Sequence, residues 1–159
     1  MKTLIAYFFF FFHTKGIAQQ LQELTGGTLF EIKPTVPYSD DYDTTERQGR
    51  KETKEGYRPL LMEMPAEPAY YDIVLLGTPN WFNTVAPPVA SFLEKYDMSD
   101  KKIALFCTNG GGGLGHTEAD IRTICKDVEV LDSINIYEDG GSDAKRQLVE
   151  WLKKIGMVQ

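Results

Sequence analysis

The chain is 159 residues long, 42% hydrophobic and 25% charged, with a formal net charge of -6. That length fits one domain around one core, and the mixture is that of an ordinary globular protein. The acidic balance argues against nucleic acid and an anionic membrane surface as main partners, because both demand a basic face; it is compatible with a basic protein partner and is also common in soluble proteins.

Lys2 to Phe8 reads as a first strand, short, apolar and buried on both faces. The apolar run from Leu4 to Phe12, with Lys2 before it and Gly16-Ile17-Ala18 after it, also has the outline of a secretion signal. It is too short to span a bilayer as a helix. Cleavage after Ala18 would remove a strand that the rest of the pattern requires, so the strand is the reading adopted.

Ile17, Ala18, Leu21 and Leu24 recur at helical spacing and predict a helix over Thr14 to Leu24, stopped by Gly26-Gly27. Thr28 to Ile32 is a second strand, and the length of this crossover suits a right-handed βαβ unit. A long, polar, proline-punctuated segment follows. Within it Asp43 to Lys54 predicts a solvated helix whose charges face water.

Tyr71 to Gly77 is the third strand, and "PPVASFLEKY" is a helix with Pro87 or Pro88 in its first turn. Lys101 to Thr108 is the fourth strand. A short helix over Glu118 to Cys125 follows, with Thr117 as a candidate cap. Val128 to Ile136 supplies the fifth strand, and Asp143 to Ile155 the last helix. Five alternations of strand and helix predict a parallel sheet covered on both faces.

Cys107 and Cys125 are the only cysteines. They lack CxxC spacing and are too few for a metal or disulfide framework, which points to reduced, buried thiols and a cytoplasmic setting. His13 and His116 stand without an evident nucleophile or carboxylate set, so no catalytic residues are assigned and hydrolysis is disfavoured.

Ligands of open α/β sheets bind beyond the carboxyl ends of the strands. After the third strand stands "GTPNWFNTVAPP", which puts Trp81 and Phe82 in a loop where flat rings could stack on a planar ligand or pack onto the domain itself. After the fourth stands "CTNGGGGLGHT", whose four glycines, Gly110 to Gly113, let backbone amides approach a ligand or simply make a mobile turn. Together the two loops point to a planar ligand held along its edge.

With these loops, the chain resembles the flavodoxins, in particular bacterial flavodoxin-like proteins with a "PxWW" and a "THGG" loop. "TPNWFNTVAPPVASFLEKYD", "FCTNGGGGLG" and "GGTLFEIKPTVPYSDDYD" carry the resemblance, in order, over nearly the whole chain. It implies a flavodoxin-like three-layer α/β sandwich, with a five-stranded parallel sheet in order 2-1-3-4-5 and FMN at its edge. It also implies Pro79, Asn80, Trp81, Phe82 and Asn83 along the isoalloxazine, and backbone amides of Thr108, Asn109, Gly110 and Gly111 at the ring's polar edge. Phe82 stands where the family has a second Trp, and Asn109 where it has His.

The same resemblance implies a phosphate loop of the type S-x-S/T-G-N/H-T before the first helix. Here the usual hydroxyls fall on Phe9 and Phe11 and the glycine on Phe12; only His13 and Thr14 keep polar character. Two lost hydroxyl bonds to a charged phosphate cost about 1.5–3 kcal/mol each. Three readings stand: the backbone still cradles the phosphate, the rings fill the site and exclude FMN, or the recorded run is altered. The function implied is electron carriage by bound FMN with a redox partner protein, a reductase or an acceptor. The alternatives are a cofactor-free binding or regulatory module and an FMN-dependent NAD(P)H quinone-type reductase.

Overall fold

A computed structural model describes residues 1–10 and 13–158. Among the described residues seven strands and five α-helices run in the order β1 (Thr3–Tyr7), α1 (Thr14–Thr25), β2 (Thr28–Glu31), α2 (Tyr42–Glu55), β3 (Ile73–Trp81), β4 (Thr84–Val85), α3 (Pro87–Lys95), β5 (Lys102–Asn109), α4 (Thr117–Ile124), β6 (Glu129–Val130), β7 (Ile134–Tyr137) and α5 (Ala144–Lys154).

Apolar residues at consecutive positions build the central strands, because both faces of the sheet are covered. Leu4, Ala6, Val74, Leu76, Ile103 and Leu105 pack on one side with Val89, Phe92 and Leu93 of α3 and Ile121 of α4. Ile5, Tyr7, Ile73, Leu75, Ala104 and Phe106 pack on the other with Ile17, Ala18 and Leu21 of α1 and Leu148, Trp151 and Leu152 of α5. The result is a three-layer sandwich.

The sheet order is β2-β1-β3-β5-β6, with β4 paired to β3 and β7 to β5. The main ladder is parallel: Ile5 lies opposite Leu29 on one side and Leu75 on the other, and Leu75 lies opposite Ala104. The simple five-strand order needs two amendments. The fifth strand is broken, β6 pairing with the start of β5 at Lys102–Ile103 and β7 with its end at Phe106–Asn109. A short antiparallel strand, β4, folds back on the end of β3 through the pairs Asn80↔Val85 and Trp81↔Thr84.

Local signals act as the residues suggest at most ends. Gly26 caps α1 with φ 71° and an amide bond to the Gln22 carbonyl. Pro87 and Pro88 occupy the first turn of α3, where a missing N–H costs nothing. Asp41 caps α2, its carboxylate accepting from the Thr44 amide at 3.0 Å. The Thr117 cap is corrected: helix α4 starts from His116 without a side-chain cap bond, and the Thr117 hydroxyl donates at 2.5 Å to the Leu114 carbonyl instead. Cys107 and Cys125 are both free and buried. Among the described residues, no helix is long and apolar enough to cross a membrane.

Candidate functional site

Loops at the carboxyl ends of β1, β3, β5 and β7, with the side of α2, enclose a cavity of about 430 Å³. That volume is within the range of about 300–1,000 Å³ usual for small-molecule sites. Its walls are Phe10 and His13 from the first loop, Pro79, Asn80, Trp81 and Phe82 from β3 and its turn, and Thr108, Asn109 and Gly110 from β5. Tyr42, Thr45, Glu46 and Arg50 of α2 close one side, with Glu138 beyond β7.

The aromatic wall is a hairpin rather than an open loop. Trp81 ends β3, and Phe82 and Asn83 form the two-residue turn to β4 at φ 53° and 73°. Two positive φ values match a type I′ turn, whose twist suits a tight hairpin. Asn tolerates that conformation; Phe does not, and its strain is of the order of 1–3 kcal/mol.

Packing holds the Phe82 ring out. Trp81 meets it at 6.4 Å between centroids, and the Arg50 guanidinium lies 4.8 Å above it. Gly49 lets α2 approach: a Cβ there would stand 3.0 Å from Phe82 and 3.2 Å from Trp81. The far end of the hairpin is tied to α4, since the Asp120 carboxylate accepts from the Thr84 hydroxyl and, at 3.2 Å, from the Val85 amide.

The glycine loop is organised by Asn109. Its Oδ1 accepts from the Gly111 and Gly113 amides at 2.9 and 3.1 Å, while its Nδ2 donates to the Ile136 carbonyl at 3.2 Å and to Asn135. Gly111 takes φ 133° and Gly113 φ 68°, both open to glycine and strained for other residues. Asn80 joins hairpin and loop through Nδ2, which donates at 2.8 Å to the Gly113 carbonyl. Asn80 Oδ1 is buried with no partner among the described residues. A buried acceptor beside a cavity is a place for a ligand N–H or a water.

The first loop carries the parity of β1 outward. Phe8 and Phe10 turn to the same side as Leu4 and Ala6 and join one aromatic cluster. Phe10 stacks on Phe8 at 6.5 Å and meets Trp81 and Tyr38 edge-on at 5.9 and 5.7 Å. Phe9 points the other way, exposed, with Lys15 Nζ 5.9 Å from its ring in a separate groove. Tyr38 is fixed behind the cluster by donating at 2.6 Å to Glu52, which also accepts from Gln48. Burial, with the Glu52 carboxylate next, pushes the Tyr38 phenol far above its usual range.

Of the residues singled out from the sequence, His13, Pro79, Asn80, Trp81, Phe82, Thr108, Asn109 and Gly110 meet on one cavity. Thr14 is buried, its hydroxyl 2.7 Å from that of Thr108. Asn83 does not line the cavity; its carbonyl accepts from the His116 amide at 2.7 Å. Phe9 and Gly111 also lie off the lining, and Phe11 and Phe12 lie outside the described residues.

Sequence reasoning missed Phe10 and the whole face of α2. Strand parity would have found Phe10. For α2 the signal was Tyr42, Thr45, Glu46, Gly49 and Arg50 at helical spacing, which charge counting treats as a solvated side.

Comparison with known proteins agrees with this architecture. A family model described as flavodoxin matches residues 2–155. A protein of Bacteroides eggerthii, provisionally named a flavoprotein, has a crystal structure that superposes with TM-score 0.84 at 25% identity, covering 97% of each chain. A flavoprotein of Lactobacillus acidophilus, solved in complex with FMN, superposes with TM-score 0.76 at 21% identity over 94% of this chain and 97% of its own. None of the curated proteins searched matches the chain. The family match over nearly the whole length, on this sheet order and this rim of loops, places the chain in the flavodoxin family.

Proposed function

We propose that the cavity binds the isoalloxazine of FMN and that the protein carries electrons to or from a redox partner protein. The observation that carries this reading is the buried, unpartnered Asn80 Oδ1 beside the Trp81 and Phe82 rings, on a cavity large enough for a tricyclic ligand. Trp81 and Phe82 offer flat faces for stacking. Asn80 Oδ1 accepts an N–H from the ring's polar edge, and the loop of Thr108, Asn109 and Gly110 supplies polar backbone beside it. The FMN held by the Lactobacillus acidophilus protein of the same fold supports the assignment.

When bound, FMN supplies one- and two-electron chemistry. The chain's own part is to hold the ring, exclude water with its aromatic cluster and set the local charge. Glu46 and Glu138 line the cavity, and Arg50, which pairs with Glu46 at 3.1 Å, is the one guanidinium on it among the described residues. Excess negative charge near the ring disfavours an anionic reduced form and lowers its potential.

The test is a titration of purified protein with FMN, followed by flavin fluorescence and absorbance. Saturable quenching, with a visible band that dithionite bleaches and that a separate reductase protein is needed to reduce, is the expected result. Protein that leaves FMN fluorescence unchanged overturns the reading. Steady turnover with NAD(P)H alone would make it a reductase rather than a carrier.

A further inference from the structure

The cavity's ring side and its tail side differ in chemistry. The ring side has flat faces, a buried acceptor and polar backbone. A phosphate dianion needs hydrogen-bond donors or cations, and the described part of the first loop supplies few. Phe8, Phe9 and Phe10 have no polar side-chain atom. The Thr14 hydroxyl is buried and engaged with Thr108 at 2.7 Å. Lys15 reaches over Phe9 in the separate groove. His13 is the one polar side chain that this part of the loop presents to the cavity.

The ring of Phe10 is locked inward against Phe8, Tyr38 and Trp81, so at this position the loop meets the cavity with an apolar ring. Charge acts in the same direction: two carboxylates, Glu46 and Glu138, line the cavity against one guanidinium, Arg50, itself paired with Glu46. A dianionic ligand meets net repulsion there, and an uncharged one does not.

We infer that this site selects the flavin ring and not the phosphate, so that riboflavin, an uncharged flavin, binds about as tightly as FMN. This rests on the flavin reading above and narrows the ligand to the tricyclic ring with its polyol. The preference follows from side-chain chemistry: among the described residues the first loop offers a phosphate one polar side chain, His13, while the ring side offers flat faces, a buried acceptor and polar backbone.

The experiment is a parallel titration of the full chain with FMN and with riboflavin, by fluorescence quenching, each repeated in a large excess of inorganic phosphate. Dissociation constants within about tenfold of each other, neither weakened by phosphate, are expected. FMN tighter by about a hundredfold or more, with inorganic phosphate competing, overturns this inference and leaves the flavin reading intact. Binding of neither flavin overturns both. A Trp81→Ala chain serves as the second measurement: it should lose affinity for both flavins by a similar factor, and a loss confined to FMN would count against a ring-dominated site.

Discussion

The Arg50 guanidinium lies 4.8 Å from the centroid of the Phe82 ring, adding a side-chain contact to the close approach of helix and hairpin at Gly49. At an exposed site such a contact contributes about 0.5–1 kcal/mol. Arg50→Ala should therefore lower the urea midpoint slightly while loosening the hairpin, and weaken flavin binding severalfold. Paired urea and FMN titrations check this; an unchanged flavin affinity would show that the hairpin holds its shape without the helix.

Phe82 at φ 53° places a bulky side chain in a conformation that glycine adopts freely. Phe82→Gly removes that strain and also removes a stacking face. The expected outcome is a fold retained with stability within about 1 kcal/mol of the parent, and flavin affinity reduced by about tenfold or more. Circular dichroism and a binding titration separate the two effects. Affinity unchanged would mean that Phe82 serves the turn and not the ligand.

Gly49 tests the same packing from the helix side. Alanine in place of glycine in a helix interior usually stabilises by about 0.8–1 kcal/mol. Here the added methyl would meet Phe82 at 3.0 Å and Trp81 at 3.2 Å. Gly49→Ala should forfeit the helical gain and displace the two rings, visible as altered tryptophan fluorescence and weaker flavin binding. A simple rise in stability would refute the close approach.

The Thr14 and Thr108 hydroxyls pair 2.7 Å apart in a buried site between α1 and β5. Thr14→Val leaves Thr108 without its partner, at a cost of about 1–3 kcal/mol. Changing both residues to Val removes both polar groups, so the double variant should be more stable than the sum of the two single losses predicts. A urea double-mutant cycle measures the coupling, and strict additivity would argue against the bond.

Burial lifts the Tyr7 phenol from 10.0 to about 12, helped by the Glu31 carboxylate, and the buried Cys107 thiol from 9.0 to about 11. In the unfolded chain these groups lose their protons first. Their contribution is thus complete below about pH 9 and is lost as pH rises through the folded values, between 9.0 and about 12. Urea midpoints should fall steeply across that window. Cys107→Ala should flatten the lower part of the fall and Tyr7→Phe the upper part; parallel curves for all three chains would contradict the assignment.

Much of the architecture was legible because burial on both faces writes long apolar runs: "TLIAY", "IVLLG" and "KIALFC" mark β1, β3 and β5 with little ambiguity. The two loops after the third and fourth strands were legible as ligand-binding loops through Trp81, Phe82 and the four glycines. The break in the fifth strand was not, because β6 and β7 are short and pair with opposite ends of β5. The hairpin escaped because its turn carries Phe82 where Asn or Gly would announce a type I′ turn. The wall made by α2 escaped for a third reason. Its cavity side is Tyr42, Thr45, Glu46 and Arg50, and polar residues facing a ligand look in sequence like polar residues facing water.

Gly77 sits in the middle of the sheet where β3 passes beneath α1. A methyl group at that position would run into the Phe106 ring and come within 3.0 Å of the Thr14 methyl. One missing carbon atom therefore sets how low the first helix rides on the sheet. Alanine at position 77 would press the start of the helix at Thr14 away from the sheet and disturb the binding rim from below, without its methyl touching any residue that borders the cavity.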